Sequence, residues 1–323
     1  MVHAIRVREA GGPEVLHWEE VEVGGPGPGQ VRLRQLAIGL NYIDVYHRTG
    51  LYPQQLPFTP GVEGAGIVEA VGDRVDWLKI GDRVAYAGPI GSYAEERLIV
   101  ADKLVKLSDS ISTEQAAAMM LQGMTAHMLL RSVHKVKPGE TILIHAAAGG
   151  VGLIVCQWAK ALGATVIGTV GSDAKAELAR AHGCDHPIVY SRQDFAAEVD
   201  RITAGAKLPV VYDSIGKDTF DRSLDCLAPK GLMVTFGNAS GPVAPFEPGL
   251  LARKGSLFLT RPTLFTYTAT RAGLEQAASE LFDVVASGKV KVEIKQRFPL
   301  KDAADAHRAL EARQTSGSTV LTV

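Results

Sequence analysis

The chain is poor in cysteine, nearly balanced in charge and free of long apolar runs, and each lack excludes something. Only Cys156, Cys184 and Cys226 occur among its 323 residues. A set that is odd in number and widely spaced argues against a disulfide framework and for a reducing compartment, the cytoplasm. Lys and Arg number 34 against 35 Asp and Glu, for a formal net charge of −1. No broad field therefore draws the chain to nucleic acid or to a membrane surface. No uninterrupted apolar stretch approaches the ~20 residues of a membrane span. The opening Met1-Val-His-Ala-Ile-Arg6 lacks the apolar core of a signal peptide.

What is present fits a globular protein of two domains: 46% hydrophobic and 21% charged residues over 323 positions. Up to about residue 110, short β-type segments such as Ala4–Val7, Gln30–Leu36 and Gly66–Val71 are broken by glycine and proline, as in Gly24-Gly-Pro-Gly-Pro-Gly29. That texture reads as a compact, irregular β barrel. From about 112 it changes. Thr113–Leu121 and Thr125–Val133 read as helices. Six strand candidates then alternate with helices: Thr141–Ile144, Ala164–Val170, Pro187–Tyr190, Pro209–Asp213, Leu232–Phe236 and Ser256–Thr260. Such alternation predicts a doubly wound parallel sheet. A long helix over Thr268–Ser287 follows, then β-type pieces around a helix at Ala303–Ala312. This tail resembles the first region, so the sheet domain reads as an insertion, with 123–264 set between 1–122 and 265–323.

The most informative run is His145-Ala-Ala-Ala-Gly-Gly-Val-Gly152. It follows an apolar strand, Thr141–Ile144, and opens an apolar helix, Val151–Leu162. Strand, glycine turn and helix is the context that makes a glycine motif a dinucleotide site. The first helical amides point at a pyrophosphate, and small residues let the backbone approach it. The template G-x-G-x-x-G falls on Ala147, Gly149 and Gly152, with alanine for the first glycine. Ala148, Gly149, Gly150 and Val151 are therefore the predicted phosphate cradle.

The second strand ends in Gly171-Ser-Asp-Ala-Lys175. An NAD site places a carboxylate at this strand end to hold the ribose 2′-hydroxyl. Here the position is Gly171, which leaves room for a 2′-phosphate, with Ser172 to donate a hydrogen bond and Lys175 to supply charge. The predicted cofactor is NADPH. Two other readings stay open: Ser172 as a simple N-cap, and a strand two residues longer that makes Asp173 the ribose ligand.

With these parts in order, the chain resembles the medium-chain dehydrogenase/reductase superfamily, and within it the zeta-crystallin-type NADPH:quinone oxidoreductases. The likeness is carried by Asn41-Tyr-Ile-Asp-Val-Tyr46, Pro60–Gly66, Gly81-Asp-Arg-Val84, the 145–163 run, Val211–Gly216, Ser223–Leu227 and Gly231–Asn238. The resemblance implies a Rossmann sheet inserted in a GroES-like β-barrel catalytic domain, a site in the cleft between the two, and a homodimer. It implies that Asn41 and Tyr46 sit at the nicotinamide end and that Arg313 reaches the cofactor; Tyr52, on the adjacent proline-rich loop, is expected to edge the substrate pocket. Thr125, Tyr190, Phe236, Gly237 and Ser240 complete the expected cofactor set, Phe236 and Gly237 as the end of the fifth strand. For Asn41 the competing role is helix N-capping, for Tyr46 and Tyr190 packing, and for Arg313 a solvated surface.

Zinc-dependent alcohol dehydrogenases share this architecture, and a catalytic zinc needs three protein ligands, Cys or His among them. The matching segments here hold Asn41 and Gly61-Val-Glu63, and no cysteine precedes Cys156. His47 reads as a partly exposed bystander. No metal is expected. Without a Lewis acid to polarise an alkoxide, a ready acceptor such as a quinone is the favoured substrate. The alternatives are an enoyl or alkenal reductase, and a non-enzymatic, crystallin-like protein binding NADPH or RNA.

Overall fold

The computed structural model describes residues 1–323. Its first segment pairs β1 (Val2–Arg6) antiparallel with β2 (His17–Val21). β3 (Gln30–Leu40) buries Val31, Leu33 and Gln35 alternately, then runs fully buried from Ala37. The period-2 pattern read over Gln30–Leu36 thus covers only the half-exposed part of a longer strand. Then come α1 (Tyr42–Arg48), β4 (Glu63–Val71), β5 (Arg83–Ala87), β6 (Glu96–Val100) and β7 (Val105–Lys106).

The next helices break differently from the sequence pattern. α2 (Thr113–Ala117) is capped by Ser112, whose hydroxyl accepts the Gln115 N–H. α3 (Met120–His127) begins where Glu63 takes the Leu121 N–H at 2.7 Å, and a π-helical turn over Met128–Val133 follows it. An acid distant in sequence starts α3, so no local signal marked that boundary.

From β8 (Thr141–Ile144) the chain alternates strictly: α4 (Gly150–Ala161), β9 (Thr165–Val170), α5 (Asp173–Ala181), β10 (His186–Val189), α6 (Phe195–Ile202), β11 (Leu208–Asp213), α7 (Phe220–Asp225), β12 (Leu227–Thr235), α8 (Gly249–Arg253), β13 (Phe258–Thr260) and α9 (Leu264–Tyr267). All six strands are parallel, in the order β10-β9-β8-β11-β12-β13. This is the doubly wound order, with its switch point between β8 and β11. Leu143, Ile167, Val211 and Met233 pack beneath α6 and α7 residues such as Val199 and Leu224.

The long helix is shorter than its periodicity suggests. α10 spans Arg271–Ala286, because Thr270 accepts the Gly273 N–H on its hydroxyl and the Leu274 N–H on its carbonyl and so caps it. The tail adds β14 (Ile294–Pro299), α11 (Ala303–Glu311) and β15 (Ser318–Thr322). β15 lies antiparallel to β3 and parallel to β14, which extends the sheet to β14-β15-β3-β4-β5-β7, with β6 on β3. The chain thus forms two compact units: residues 1–124 with 268–286 and 292–323, and residues 125–267 with 287–291.

In the first unit, tail residues Leu300, Ala306 and Leu321 share one core with Ile5, Ile38, Phe58 and Tyr93. Leu321→Ala is expected to destabilise the protein by about 2–5 kcal/mol, the range for a large-to-small change in a packed core. Urea unfolding checks it; a cost near zero would mean that β15 only decorates the unit.

Candidate active site

The glycine turn is held shut by its own backbone. Ala146 adopts the left-handed conformation (φ 54°), and a Cβ on Gly152 would collide with the Ala146 carbonyl oxygen. Glycine at 152 is therefore a steric requirement. α4 starts immediately after Gly149, with no side chain capping its first N–H groups. Uncapped amides at a helix N-terminus, approached by small residues, fit a pyrophosphate.

Behind the turn, His145 Nδ1 lies 2.8 Å from Thr169 Oγ1 and its Nε2 lies 2.9 Å from Ser223 Oγ. Burial lowers the imidazole's pKa, so the ring is neutral, one nitrogen donating and the other accepting. Ser223 and Thr219 donate to Asp213 Oδ2, and Asp213 Oδ1 accepts the Ile215 and Gly216 N–H groups. One polar network thus ties the C-terminal ends of β8, β9 and β11 together. Sequence reasoning missed it, because its members lie on strand ends and on α7, far apart in the chain.

β9 stops at Val170, and α5 begins at Asp173 with Ser172 as its N-cap. The longer strand that would make Asp173 a ribose ligand does not form. Asp173 is instead ion-paired with Arg192. The Ser172 hydroxyl accepts the Lys175 N–H at 3.3 Å and so caps α5. A Cβ on Gly171 would stand 2.9 Å from the Tyr190 hydroxyl, and Tyr190 itself is 44% exposed, one residue past β10. Phe236 and Gly237 follow the end of β12, which stops at Thr235. Ser240 is occupied structurally: its hydroxyl donates to the Ile215 carbonyl and accepts the Asp218 N–H. Ala148–Val151, Gly171, Ser172, Lys175, Tyr190, Phe236 and Gly237 all follow the C-terminal ends of parallel strands, the edge at which such sheets bind ligands. Thr125, half-buried in α3, is the first residue of the second unit.

Asn41, Tyr46, Tyr52 and Arg313 belong to the first unit. Asn41 is the N-cap residue of α1, and its own N–H donates to Asp44 Oδ2. Its carboxamide donates to Glu63 Oε2 at 2.6 Å and accepts from Gln122 Nε2 at 3.2 Å. Tyr46 is buried edge-on against Tyr52, ring centres 5.1 Å apart, and Tyr42 packs on its other side at 5.8 Å. Arg313, exposed and left-handed (φ 59°), lies close enough for its charge to oppose the upward effect of burial on the Tyr42 phenol.

His47 is not the partly exposed bystander of the sequence reading. It is 8% exposed, and its Nδ1 has no partner. Burial holds it neutral, with a pKa pushed down to about 4. His307, deep beneath Tyr93 and beside the Arg48 guanidinium, is pushed down to about 3, chiefly by burial. Two carboxyls share this interior: burial pushes Asp44 up to about 7 and Glu63 up to about 8. No three His, Cys, Asp or Glu side chains converge as a metal would require.

Two family models match the chain: "Alcohol dehydrogenase GroES-like domain" over residues 27–109 and "Zinc-binding dehydrogenase" over residues 150–282. The chain is 55% identical to a quinone oxidoreductase of Pseudomonas aeruginosa, over 99% of each chain. It is 49% identical to a 2-haloacrylate reductase of a Burkholderia species, again over 99% of each. The solved structure of Escherichia coli quinone oxidoreductase complexed with NADPH superposes with a TM-score of 0.98 at 49% identity, covering 99% of this chain and 100% of that one. The zinc in the second family description does not fit these residues: Asn41 and Glu63 bond to each other, and no cysteine lies nearby in the chain.

The buried acids and histidines set the pH dependence of stability. Between about pH 4.5 and 6.5 the folded chain holds two extra protons, on Asp44 and Glu63, and lacks two, on His47 and His307. The slopes cancel there. Above pH 6.5 only the acids differ, the folded form binds more protons, and stability falls as the pH rises. At ~1.4 kcal/mol per pKa unit, the loss by pH 8 is about 2–3 kcal/mol. Calorimetry should show a Tm that is flat up to pH 6.5 and lower by a few degrees at pH 8, with a smaller drop in Asp44→Asn. A Tm rising over that interval would contradict neutral buried acids.

Proposed function

Because this chain belongs to the quinone oxidoreductase family of the medium-chain dehydrogenases/reductases, we propose that it is a zinc-independent, NADPH-dependent quinone reductase. The second unit binds the nucleotide and the first supplies the groups that meet the acceptor. NADPH supplies the reducing electrons when bound. The chain's own task is to hold and orient both partners.

The observation that carries the nucleotide assignment is the end of β9. No carboxylate stands there: the position is Gly171, and Asp173 is ion-paired with Arg192. A 2′-phosphate meets Ser172, Lys175 and the start of α5, while the uncapped amides of α4 take the pyrophosphate. On the acceptor side, Asn41 offers its unused amide hydrogen to a quinone oxygen, and the Tyr46–Tyr52 pair offers an aromatic wall to a flat ring. Reduction of an activated double bond is the second reading, favoured by the 49% identity to a 2-haloacrylate reductase.

We further read the protein as a cytoplasmic homodimer, following the family resemblance. The exposed edge strand β13, with Phe258 62% exposed, offers a self-complementary surface. No helix is long and apolar enough to cross a membrane.

Lys175→Ala should raise the KM for NADPH about tenfold, the effect of one lost charge-assisted contact, and leave the KM for NADH nearly unchanged. Steady-state oxidation of both coenzymes against a small quinone and an α,β-unsaturated carboxylate measures this. Equal losses with both coenzymes would remove Lys175 from the phosphate site. Turnover of the alkene alone would replace the quinone reading with the second one.

A further inference from the structure

A polar string crosses the interior of the first unit. It starts at Glu63 on β4, whose carboxyl fills space that Gly39 leaves open: a Cβ there would collide with Glu63 Oε2 and with the Ala117 carbonyl. Glu63 Oε1 accepts the Leu121 N–H at 2.7 Å, and Oε2 accepts from Asn41 Nδ2 at 2.6 Å. Asn41 Oδ1 accepts from Gln122 Nε2 at 3.2 Å. Gln122 Oε1 lies 2.7 Å from Ser318 Oγ, which also lies 2.8 Å from the Ala118 carbonyl oxygen. All four side chains are buried.

Ser318 has one hydroxyl hydrogen and two acceptors in reach, and this leaves the string two self-consistent directions. With Glu63 ionised, Asn41 donates to Glu63, Gln122 donates to Asn41, and Ser318 donates to Gln122. With a proton from water on Glu63 Oε2, that O–H donates to Asn41 Oδ1. Asn41 Nδ2 then donates to Gln122 Oε1, Gln122 Nε2 to Ser318 Oγ, and Ser318 to the Ala118 carbonyl. The Leu121 N–H keeps its acceptor in both states. Both amides turn over, exchanging oxygen and nitrogen at nearly equal volume, so every link of the string is retained, at the cost of the capping contact from the Asp44 N–H to the Asn41 side chain.

We propose that Glu63 is a positioning residue which, through Gln122 and Ser318, sets whether Asn41 turns its spare N–H or its spare carbonyl lone pair toward the bound ligand. The catalytic consequence rests on the placement of Asn41 in the acceptor site. Burial supports the exchange, holding the Glu63 carboxyl up at about 8. The ionisable groups that face it are Asp44 from α1 and the Tyr93 phenol, while β3 presents Gly39 and α3 presents backbone N–H groups.

The chain has only two asparagines, Asn41 and Asn238. Asparagine-selective ¹⁵N labelling of the full-length protein therefore yields two side-chain NH₂ pairs, and loss of one in Asn41→Asp assigns it. Between pH 6 and 9.5 the Asn41 pair should titrate with a midpoint near 8. Its nuclear Overhauser contacts should pass from Gln122 at low pH to the Leu121 N–H at high pH. In Glu63→Gln, whose amide mimics the protonated acid, the pair should stay in its low-pH state throughout. In the wild type kcat should change across the same midpoint, and that change should vanish in Glu63→Gln, with the KM for NADPH changed less than twofold. Contacts that do not move with pH in the wild type overturn the string, whether or not the variant folds. This measurement needs no substrate, so it is separable from the reductase reading. Turnover left intact in Asn41→Ala would overturn Asn41's place in the site instead.

Discussion

The close approach of Gly152 to the Ala146 carbonyl is the constraint on which the nucleotide unit depends. Any side chain at 152 would push α4 away from the end of β8, and the first amides of the helix would no longer face the turn. The left-handed Ala146 is the local strain that makes the approach possible, and the His145–Thr169–Ser223–Asp213 network holds that strain in place. Because those hydrogen bonds join β8, β9 and β11, the phosphate turn and the β9 end are fixed by one set of contacts.

The first unit solves a different problem. Where a zinc enzyme would use cation charge, its interior holds Asp44, Glu63, His47 and His307, each held toward its neutral form by burial. Neutral polar groups are tolerable in a core only when hydrogen-bonded. Here most are: Asp44 to Asn41 and Tyr93, His307 to Tyr93 and Arg48, Glu63 to Asn41 and Leu121. Arg48 is buried but charged, and the partly exposed Glu311 of α11 supplies its counterion. That pair joins α1 to the tail, while β15 joins the tail to β3. The segment carrying Asn41 and Tyr46 is thus tied to the tail on both sides, through β3 before it and Arg48 at its end.

Much of the second unit was legible because its signals are local. Each strand is a short apolar run between helical patterns, and the glycine turn announces itself by composition. The C-terminal strand ends were right to within a residue, although β12 starts at Leu227, well before the expected Leu232, and only the structure placed Asp173 in α5 and not in a longer β9. The first unit was harder to read. Glu63 entered only as part of Gly61-Val-Glu63 where a zinc site would lie, His47 as a partly exposed bystander, and the break between α2 and α3 carried no proline or glycine, because the group that starts α3 comes from β4.

The sequence by itself determined the alternation of strands and helices, the glycine turn at 149–152, the glycine in place of a carboxylate at 171 and the missing cysteines before 156. These follow from backbone geometry and side-chain chemistry that neighbouring residues suffice to specify. Only the tertiary structure decided that Glu63, Asn41, Gln122 and Ser318 form one string, and that Asp213 reaches His145 through Ser223. Those partners lie tens to hundreds of positions apart, and burial, which strengthens their hydrogen bonds and shifts their protonation, exists only once the chain has closed around them.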